Sequence, residues 1–214
     1  MADKALNVYL IGARGHSKVI ADILNVQKRL IGGVFDRDAH IKQMLEFFVE
    51  NQPEEGQWPS PALFIIGIGN NFIRKRIAEE NHDVMIFTTA VHPRSTISSY
   101  VTIGEGTVVM AGAVVNVDSY IGKHVILNTN CSIDHDCILG DYVHVSPNAA
   151  LAGSVEVGEG THIGIGTNVI QGIKIGRWVT IGAGSVVIRD VPDYAVVVGN
   201  PGRIIKYNKK DILK

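Results

Sequence analysis

The sequence predicts a Rossmann-like α/β domain followed by a parallel β-helix of hexapeptide repeats. From Ile97 to Val187 an Ile, Val or Leu stands at every sixth position, sixteen times without a break. Before residue 93, short apolar strands alternate with segments that have helical spacing. A period of six fits neither an α-helix nor a flat alternating strand, but it fits a short strand plus a corner, stacked coil on coil. The expected parts are an α/β domain over 1–93, a β-helix over 94–192 and a C-terminal cap or tail over 193–214.

Alternating strands and helices in the first domain indicate a small parallel sheet. The expected strands cover 6–11, 31–35, 63–68 and 85–88, and the expected helices cover 17–24 and about 72–80. Residues 38–61 fit no single element, because apolar residues with helical spacing are followed by prolines that are typical of a loop. The residues with helical spacing are Ile41, Met44, Leu45 and Phe48. We assign no function to this region.

A glycine-containing turn, residues 12–16, follows the first strand and opens the first helix. Its main-chain N–H groups can hold a phosphate, although Arg14 stands where the dinucleotide-binding fingerprint has its second glycine. Asp36 ends the second strand, where a carboxylate often meets a ribose hydroxyl, and Gly69 follows the third strand. Three strand ends that converge on one crevice favour a nucleotide-like ligand. The alternative is that these residues only end strands and cap a helix.

A second period sets the cross-section of the β-helix. Glycines recur 18 residues apart, so three hexads make one coil, and roughly five coils stack into a triangular prism. These glycines, expected to line a corner with positive φ, are Gly104, Gly122, Gly140, Gly158 and Gly176. Because a β-helix end exposes unpaired strand edges, we expect the N-terminal domain to cover one end and residues 203–214 to cover or border the other. The lysines of that segment, interpreted as solvated surface or as phosphate contacts, are Lys206, Lys209, Lys210 and Lys214.

Composition excludes several classes of function. A formal net charge of −1 provides no basic field for nucleic acid or an anionic membrane. No signal peptide and no apolar run long enough to span a bilayer are expected. The two cysteines, Cys131 and Cys137, fall at inward positions of consecutive hexads and are interpreted as core residues. Free buried thiols fit a reducing cytoplasm, which is the expected location.

The spacing of the histidines relates them to the coils. His144 and His162 differ by 18 residues, so they are expected to stack on one face of successive coils. His135 and Gly153 also differ by 18, which places a glycine one layer from His135. His135 and His144 differ by nine, half a coil, and should point from different faces. A site that uses both histidines therefore has to be built between subunits.

The run Asp134-His135-Asp136 is the main candidate for acid–base chemistry. A carboxylate bonded to an imidazole raises its basicity and fixes its tautomer, as a general base requires. The alternative is a solvated corner. The spacing does not decide which of the two acids reaches the ring. His92 and His124 are interpreted as structural.

The chain resembles the bacterial sugar acyltransferases, a group that includes nucleotide-sugar 4-amino N-acetyltransferases and the sialic acid O-acetyltransferase branch. The motifs that carry the resemblance are Gly12-Ala13-x-Gly15-His16, Asp36, Ile68-Gly69-Asn70-Asn71, His92-Pro93, Asn128-Thr129, Asp134-His135-Asp136-Cys137, His144-Val145-Ser146, Ala152-Gly153 and Val198-Gly199-x-Pro201. The resemblance implies a left-handed β-helix, a homotrimer and acetyl-CoA as cosubstrate, without a metal. It further implies transfer of an acetyl group to the 4-amino group of a nucleotide-linked deoxysugar, in surface polysaccharide or glycan biosynthesis.

The same resemblance implies roles for individual residues. His135 is the general base and Asp136 supports it, while His144 and the Gly153 amide meet the acetyl thioester from the adjacent chain, and Ile165 lines the pantetheine groove. The residues implied to hold the nucleotide-sugar are Ala13, Arg14, Gly15, His16, Asp36, Arg37 and Gly69, with Asn128 orienting the sugar.

Three other functions remain open at this point. One is a sugar O-acetyltransferase of the sialic acid type. The second is a zinc lyase with three histidines at subunit interfaces, but the gaps from His124 onward are 11, 9 and 18 residues and show no evident ligand set. The third is a noncatalytic scaffold, which would bind neither CoA nor a nucleotide.

Overall fold

The computed structural model describes residues 6–53 and 57–208. Lys209, Lys210 and Lys214, and residues 54–56, lie outside the described residues. The predicted fold class is confirmed, because an α/β domain precedes a parallel β-helix. The N-terminal elements are β1 (Val8–Ile11), α1 (Gly15–Val26), β2 (Ile31–Asp36), β3 (Gln43–Met44), β4 (Phe47–Asn51), β5 (Leu63–Ile66), α2 (Asn71–Glu80) and β6 (Ile86–Phe87).

The N-terminal sheet has the strand order β3-β4-β2-β1-β5-β6. All of its pairs are parallel except β3 with β4, which form an antiparallel hairpin at one edge. The helices α1 and α2 contribute to separate apolar clusters, each of which includes side chains of the central strands. The strands and helices expected in this domain are confirmed, with ends that differ by one or two residues.

No helix forms over residues 41–48, although Ile41, Met44, Leu45 and Phe48 have helical spacing. The side chain of Met44 is fully buried, whereas Phe48 is 85% exposed, and the two residues belong to paired strands. Leu45 has φ of 52° in the turn that joins them. Residues i and i+4 share a face in either a helix or a strand, so the turn at Leu45 is what separates Met44 from Phe48.

The β-helix is built from strands of two residues, and a final hairpin completes its C-terminal end. In chain order they are β7 (Ala90–Val91), β8 (Thr96–Ile97), β9 (Thr102–Ile103), β10 (Val108–Val109), β11 (Val114–Val115), β12 (Tyr120–Ile121), β13 (Ile126–Leu127), β14 (Ser132–Ile133), β15 (Ile138–Leu139), β16 (His144–Val145), β17 (Ala150–Leu151), β18 (Glu156–Val157), β19 (His162–Ile163), β20 (Asn168–Val169), β21 (Lys174–Ile175), β22 (Thr180–Ile181), β23 (Val186–Val187), β24 (Ala195–Val198) and β25 (Arg203–Tyr207).

Strands that are three places apart along the chain pair in parallel, which gives the prism three faces. The first face runs from β7 through β10, β13, β16, β19 and β22 to β24, with β25 added antiparallel. The second face contains β8, β11, β14, β17, β20 and β23, and the third contains β9, β12, β15, β18 and β21. The β-helix begins at Ala90, a few residues before the expected boundary.

The core of the prism follows the predicted period of six. Fourteen of the sixteen positions, from Val109 to Val187, are buried in one cluster, and Ile97 and Ile103 pack against it. Cys131 and Cys137 are free thiols within the same cluster, as expected. The sequence pattern therefore predicts the inside of the β-helix residue by residue.

The corners differ from the prediction. Gly104 and the glycines that follow at intervals of 18 do not have positive φ. A Cβ at Gly104 would instead lie 2.6 Å from the carbonyl carbon of Gly122 in the next coil, so these glycines permit close stacking of the chain. Left-handed backbone occurs two residues later and recurs at every sixth position from Gly106 to Gly184. Aspartate and asparagine, which tolerate this conformation, occupy several of these positions, including Asp136 with φ of 60°.

Buried hydroxyl groups link successive coils at the turns. Thr161 is fully buried, and its Oγ1 donates to the carbonyl of Gly176 at 2.7 Å and accepts from the N–H of Val179 at 3.0 Å. Thr107 makes the equivalent pair of bonds 54 residues earlier, with Gly122 and Val125. The hydroxyl satisfies main-chain groups that the short strands leave unpaired.

Replacement of Thr161 by valine is expected to lower the free energy of unfolding by about 1–3 kcal/mol, because it leaves buried main-chain groups without their partner. Urea unfolding measures this change. Thr102→Val, at an exposed position on the outside of β9, serves as the control and should have little effect. Equal losses in the two variants would contradict the structural role of the buried hydroxyl.

The N-terminal domain packs along the first face of the β-helix, and the expectation that it covers an open end is wrong. Ala90, Val108 and Ile126, on the outside of that face, are buried in the same apolar cluster as α1. This face is apolar on both sides over its first coils, so its outer side is buried by the N-terminal domain. Within residues 6–53 and 57–208, no helix has the length and apolar character needed to span a membrane.

The helix α2 contacts a corner of the β-helix where bulky residues have left-handed backbone. His124, Tyr142 and Trp178 have φ of 52°, 61° and 55°. The ring of His124 stacks on Tyr142 with centroids 5.4 Å apart, and Lys75 of α2 lies 5.1 Å above the Tyr142 ring. Phe72 of α2 meets Trp178 edge to face at 6.3 Å. These contacts offset the cost of the unusual backbone at each bulky residue.

Candidate active site

The carboxylate of Asp36 joins the ends of β1 and β2. Its Oδ2 accepts from the N–H of Ala13 at 2.7 Å, and its Oδ1 accepts from the N–H of Asp38 at 2.8 Å. Each carboxylate oxygen has a second lone-pair site, so a hydroxyl of a ligand can still donate to it. The structure therefore brings Ala13 and Asp36 together, as the sequence predicts.

The N-terminus of α1 is open towards the crevice. Arg14 is the N-cap residue, and its side chain caps no helical N–H; it forms an exposed ion pair with Asp38 at 2.9 Å. A Cβ placed on Gly15 would meet no other heavy atom within 4 Å. Free N–H groups in the first turn can bind an anion such as a phosphate.

Arg37 belongs to a different part of the domain surface. Its Nε donates to Oε1 of Gln52 at 2.8 Å, and its Nη2 lies 3.4 Å from Glu80. These groups line a pocket of about 340 Å³ beside Trp58. The structure thus gives Arg37 partners that the other predicted substrate residues do not share.

Three imidazoles form a column between the N-terminal crevice and the first face of the β-helix. The rings of His144 and His162 are parallel, with centroids 4.8 Å apart, which confirms the stacking predicted from their spacing. The ring of His16 lies 6.1 Å from that of His144. Nε2 of His144 is 3.1 Å from Nδ2 of Asn128, and Nε2 of His162 is 2.8 Å from Oγ of Ser146. Among the described residues, Nε2 of His16 is buried without a hydrogen-bond partner.

These imidazoles are held in the neutral form. Burial lowers the pKa of His144 to about 2, and His162, Arg74 and His16 act in the same direction. Burial and the charge of Arg74 lower the pKa of His16 to about 4 and also lower the pKa of His162. Neutral imidazoles can both donate and accept hydrogen bonds, which suits polar contacts to hydroxyl or amine groups.

His135 lies at an exposed corner between β14 and β15. Its Nδ1 is 2.6 Å from Oδ2 of Asp136, and this hydrogen bond, with the charge of Asp134, raises the pKa of His135. The carboxylate of Asp134 instead accepts from Nδ2 of Asn116 and from the N–H of His135, both at 2.8 Å. The structure therefore identifies Asp136 as the acid that reaches the ring, a choice that spacing left open.

Gly153 stacks against the imidazole of His135. A Cβ at this position would lie 2.6 Å from Cε1 and 2.7 Å from Nε2 of the ring. Any larger residue would displace the imidazole. Among the described residues, the N–H of Gly153 donates to no protein atom, so it is free to bind a negatively charged oxygen.

The predicted site residues form two groups within one chain. His16, Asn128 and His144 meet beside the first face, and His135 with Asp136 and Gly153 occupies a corner between the other two faces. Ile165 is 51% exposed and follows β19, the strand that carries His162. His92 and His124, interpreted as structural from the sequence, are buried.

Sequence reasoning missed Arg74, which lies at the centre of the interface between the domains. Its side chain is 1% exposed. The sequence signal for its burial was its position three and four residues before Ile77 and Ala78, which places Arg74 on the same buried face of α2. Within the described part of the chain, no group of three His, Cys, Asp or Glu side chains converges as a metal site.

The chain matches two protein-family models. Residues 7–81 match the PglD N-terminal domain, and residues 118–153 match the bacterial transferase hexapeptide family with six repeats. UDP-N-acetylbacillosamine N-acetyltransferase of Bacillus subtilis is 41% identical over 114 residues, which is 49% of this chain and 51% of that protein. The match thus spans about half the length of this curated relative.

Solved structures are similar over nearly the whole chain. A single-residue variant of perosamine N-acetyltransferase from Caulobacter crescentus, in complex with CoA and GDP-perosamine, is 35% identical with a TM-score of 0.87. The match covers 94% of this chain and 97% of that one. The acetyltransferase domain of PglB from Neisseria gonorrhoeae, in complex with acetyl-CoA, is 35% identical with a TM-score of 0.87, covering 93% of this chain and 98% of that domain.

Proposed function

Because the chain belongs to the bacterial nucleotide-sugar N-acetyltransferases that join a PglD-type N-terminal domain to a hexapeptide-repeat β-helix, we propose that it transfers the acetyl group of acetyl-CoA to the 4-amino group of a nucleotide-linked deoxysugar. The family predicted from the motifs is thereby confirmed. The observation that carries the proposed activity is the bonded pair of His135 and Asp136 at an exposed corner, with the free N–H of Gly153 one coil away.

His135 acts as the general base. Because its Nδ1 is bonded to a carboxylate, the ring proton resides on Nδ1 and Nε2 accepts a proton from the attacking amine. The amine nitrogen forms a bond to the thioester carbonyl carbon, and the carbon–sulfur bond then breaks to release the CoA thiolate. Cys131 and Cys137 are buried in the core, so no covalent enzyme intermediate on a thiol is proposed.

The N–H of Gly153 stabilises the oxyanion that forms during transfer. An oriented main-chain donor next to the base is the usual arrangement for acyl transfer. Ile165, exposed on the outside of the β-helix, lies in the groove that takes the pantetheine chain.

The complete site forms between subunits of a homotrimer. His135 and His144 lie on different sides of one prism, so His135 of one chain meets a nucleotide-sugar held by the next. Ala13, Gly15, His16, Asp36 and Gly69 hold the nucleotide-sugar. Asn128 and the neutral His144 bind near the sugar and the acetyl thioester at that interface. The reaction belongs to surface polysaccharide or glycan assembly.

The activity is tested by measuring CoA release from acetyl-CoA with UDP-, GDP- and dTDP-linked 4-amino-4,6-dideoxy sugars, and with free sialic acid. Turnover of one amino sugar, with a product heavier by one acetyl group, is the expected result. Turnover of sialic acid alone would assign an O-acetyltransferase instead. No turnover of any acceptor, together with no binding of CoA, would contradict the proposal.

Asp136→Asn is expected to move the acidic limb of the pH–rate profile to lower pH and to reduce the maximal rate. The carboxylate raises the pKa of His135, and its loss allows the imidazole to remain deprotonated at lower pH while weakening its basicity. Asparagine tolerates the left-handed backbone of this position, so the fold is preserved. Asp134→Asn is the comparison variant: its charge also raises the pKa of His135, but its carboxylate bonds Asn116 and the main chain and not the ring, so a smaller shift of the acidic limb is expected. A larger change in Asp134→Asn would contradict the assignment of Asp136.

A further inference from the structure

Arg74 is a buried cation that is neutralised by no carboxylate among the described residues. Its guanidinium makes five hydrogen bonds instead. Nε donates to the carbonyl of His124 at 2.8 Å, and Nη2 donates to the carbonyl of Tyr142 at 2.8 Å and to Oδ1 of Asn71 at 3.0 Å. Nη1 donates to the carbonyls of Ile68 at 3.0 Å and Gly69 at 3.3 Å. Every N–H of the planar fork has a partner, a geometry that lysine cannot reproduce.

These bonds connect the substrate-side loop after β5 with the β-helix. Ile68 and Gly69 belong to that loop, whereas His124 and Tyr142 are corner residues of two successive coils. Asn71 of α2 strengthens the same junction, because its Nδ2 donates to the carbonyl of Gly160 at 3.0 Å. Arg74 and Asn71 therefore both tie the segment around Gly69 to the β-helix that carries His144.

The charge of Arg74 also acts on the ionisable groups around it. It disfavours the protonated form of each nearby imidazole, and burial acts in the same direction. The groups that face it are His16 at the start of α1, His124 and Tyr142 at the corner, and His144 and His162 on the first face.

We propose that Arg74 is a positioning residue of the acceptor site, which fixes the Gly69 loop against the β-helix and places a permanent positive charge behind the imidazoles of His16 and His162. The expected effect of Arg74 on acceptor binding and turnover rests on the proposed function. A buried, uncompensated charge is costly, and a structural link between domains alone does not require one. Its retention is explained if the charge keeps the neighbouring imidazoles neutral, so that each retains a ring nitrogen that can accept a hydrogen bond from the acceptor.

The test compares Arg74→Lys, Arg74→Gln and Arg76→Gln in the full chain. Lysine keeps the charge and loses the planar fork, whereas glutamine loses the charge. Arg76 lies on the same helix, is exposed and is 3.7 Å from Glu80, so it serves as the matched control. Histidine titration is followed by NMR of the imidazole signals, and steady-state kinetics give KM for the acceptor and kcat separately.

We expect Arg74→Lys to raise the KM for the acceptor about tenfold or more while leaving the titration of His16 and His162 nearly unchanged. Arg74→Gln should raise both the KM and the titration midpoints of these histidines, because removal of a positive charge favours their protonated forms. The control should change neither. If Arg74→Gln does not fold, the lysine variant alone still tests the loop.

Loss of thermal stability in the Arg74 variants without a change in the acceptor KM or in any histidine titration would overturn the proposal and leave Arg74 as a structural link. If no acceptor is turned over by the unmodified protein, the proposed function fails, but the NMR titrations still decide whether the charge controls the imidazoles. Unchanged titrations in Arg74→Gln would then overturn the electrostatic part of the proposal.

Discussion

Replacement of His135 by alanine is expected to lower the turnover of the preferred amino sugar by about 10² or more, with little change in stability. The imidazole is the only group in the proposed mechanism that removes the amine proton, and general-base catalysis contributes at least this much. Its side chain is 53% exposed, so truncation leaves no cavity in the core. Single-turnover measurement of CoA release isolates the chemical step from product release.

His82→Ala provides the matched control. His82 is also exposed and is followed by an aspartate, with Nε2 3.1 Å from Oδ1 of Asp83, but it follows α2 in the N-terminal domain and belongs to neither group of predicted site residues. This variant should retain full activity. Near-normal turnover in His135→Ala would show that the proton is removed by another group.

Gly153→Ala is expected to lower kcat about tenfold or more while the fold is retained. The backbone of Gly153 is not left-handed, so alanine can adopt its conformation. The added methyl group would lie 2.6 Å from the ring of His135, and the exposed ring can move away only by leaving the position that its bond to Asp136 defines. A displacement of about 1 Å in a reacting group can lower the reaction rate greatly while it changes the stability of the fold little.

A double-mutant cycle distinguishes this mechanism from a direct effect on the acetyl group. In the His135→Ala background the methyl group has no ring to displace, so Gly153→Ala should have almost no further effect. Alanine keeps the main-chain N–H, and the proposed oxyanion contact therefore remains in both backgrounds. Equal losses of activity with and without His135 would contradict the steric explanation.

The core of the β-helix and the order of its elements were predictable because the pattern that specifies them is local. Each coil presents the same inward environment, so one apolar period predicts buried residues from Val109 to Val187. The offset of 18 residues likewise predicted the stacking of His144 on His162 and the glycine against His135. Periodicity converts a position in the chain directly into a position in space.

The β3–β4 hairpin and the left-handed corners were missed for different reasons. Met44 and Phe48 have a spacing that suits a helix, and only the pairing of two strands separates their side chains. At the corners, the close approach of Gly104 to the next coil and the left-handed φ two residues later both favour glycine. A glycine in the sequence does not reveal which of these two constraints it satisfies.

By itself, the sequence determined the β-helix, the α/β character of the N-terminal domain and the family of the chain, because each depends on short motifs or on a strict period. Only the tertiary structure decided that Asp136 and not Asp134 meets the ring of His135, that the N-terminal domain packs on the side of the prism, and that Arg74 joins the two. The physical reason is that side-chain direction and domain contacts depend on groups far apart in the chain, whose meeting no local pattern records.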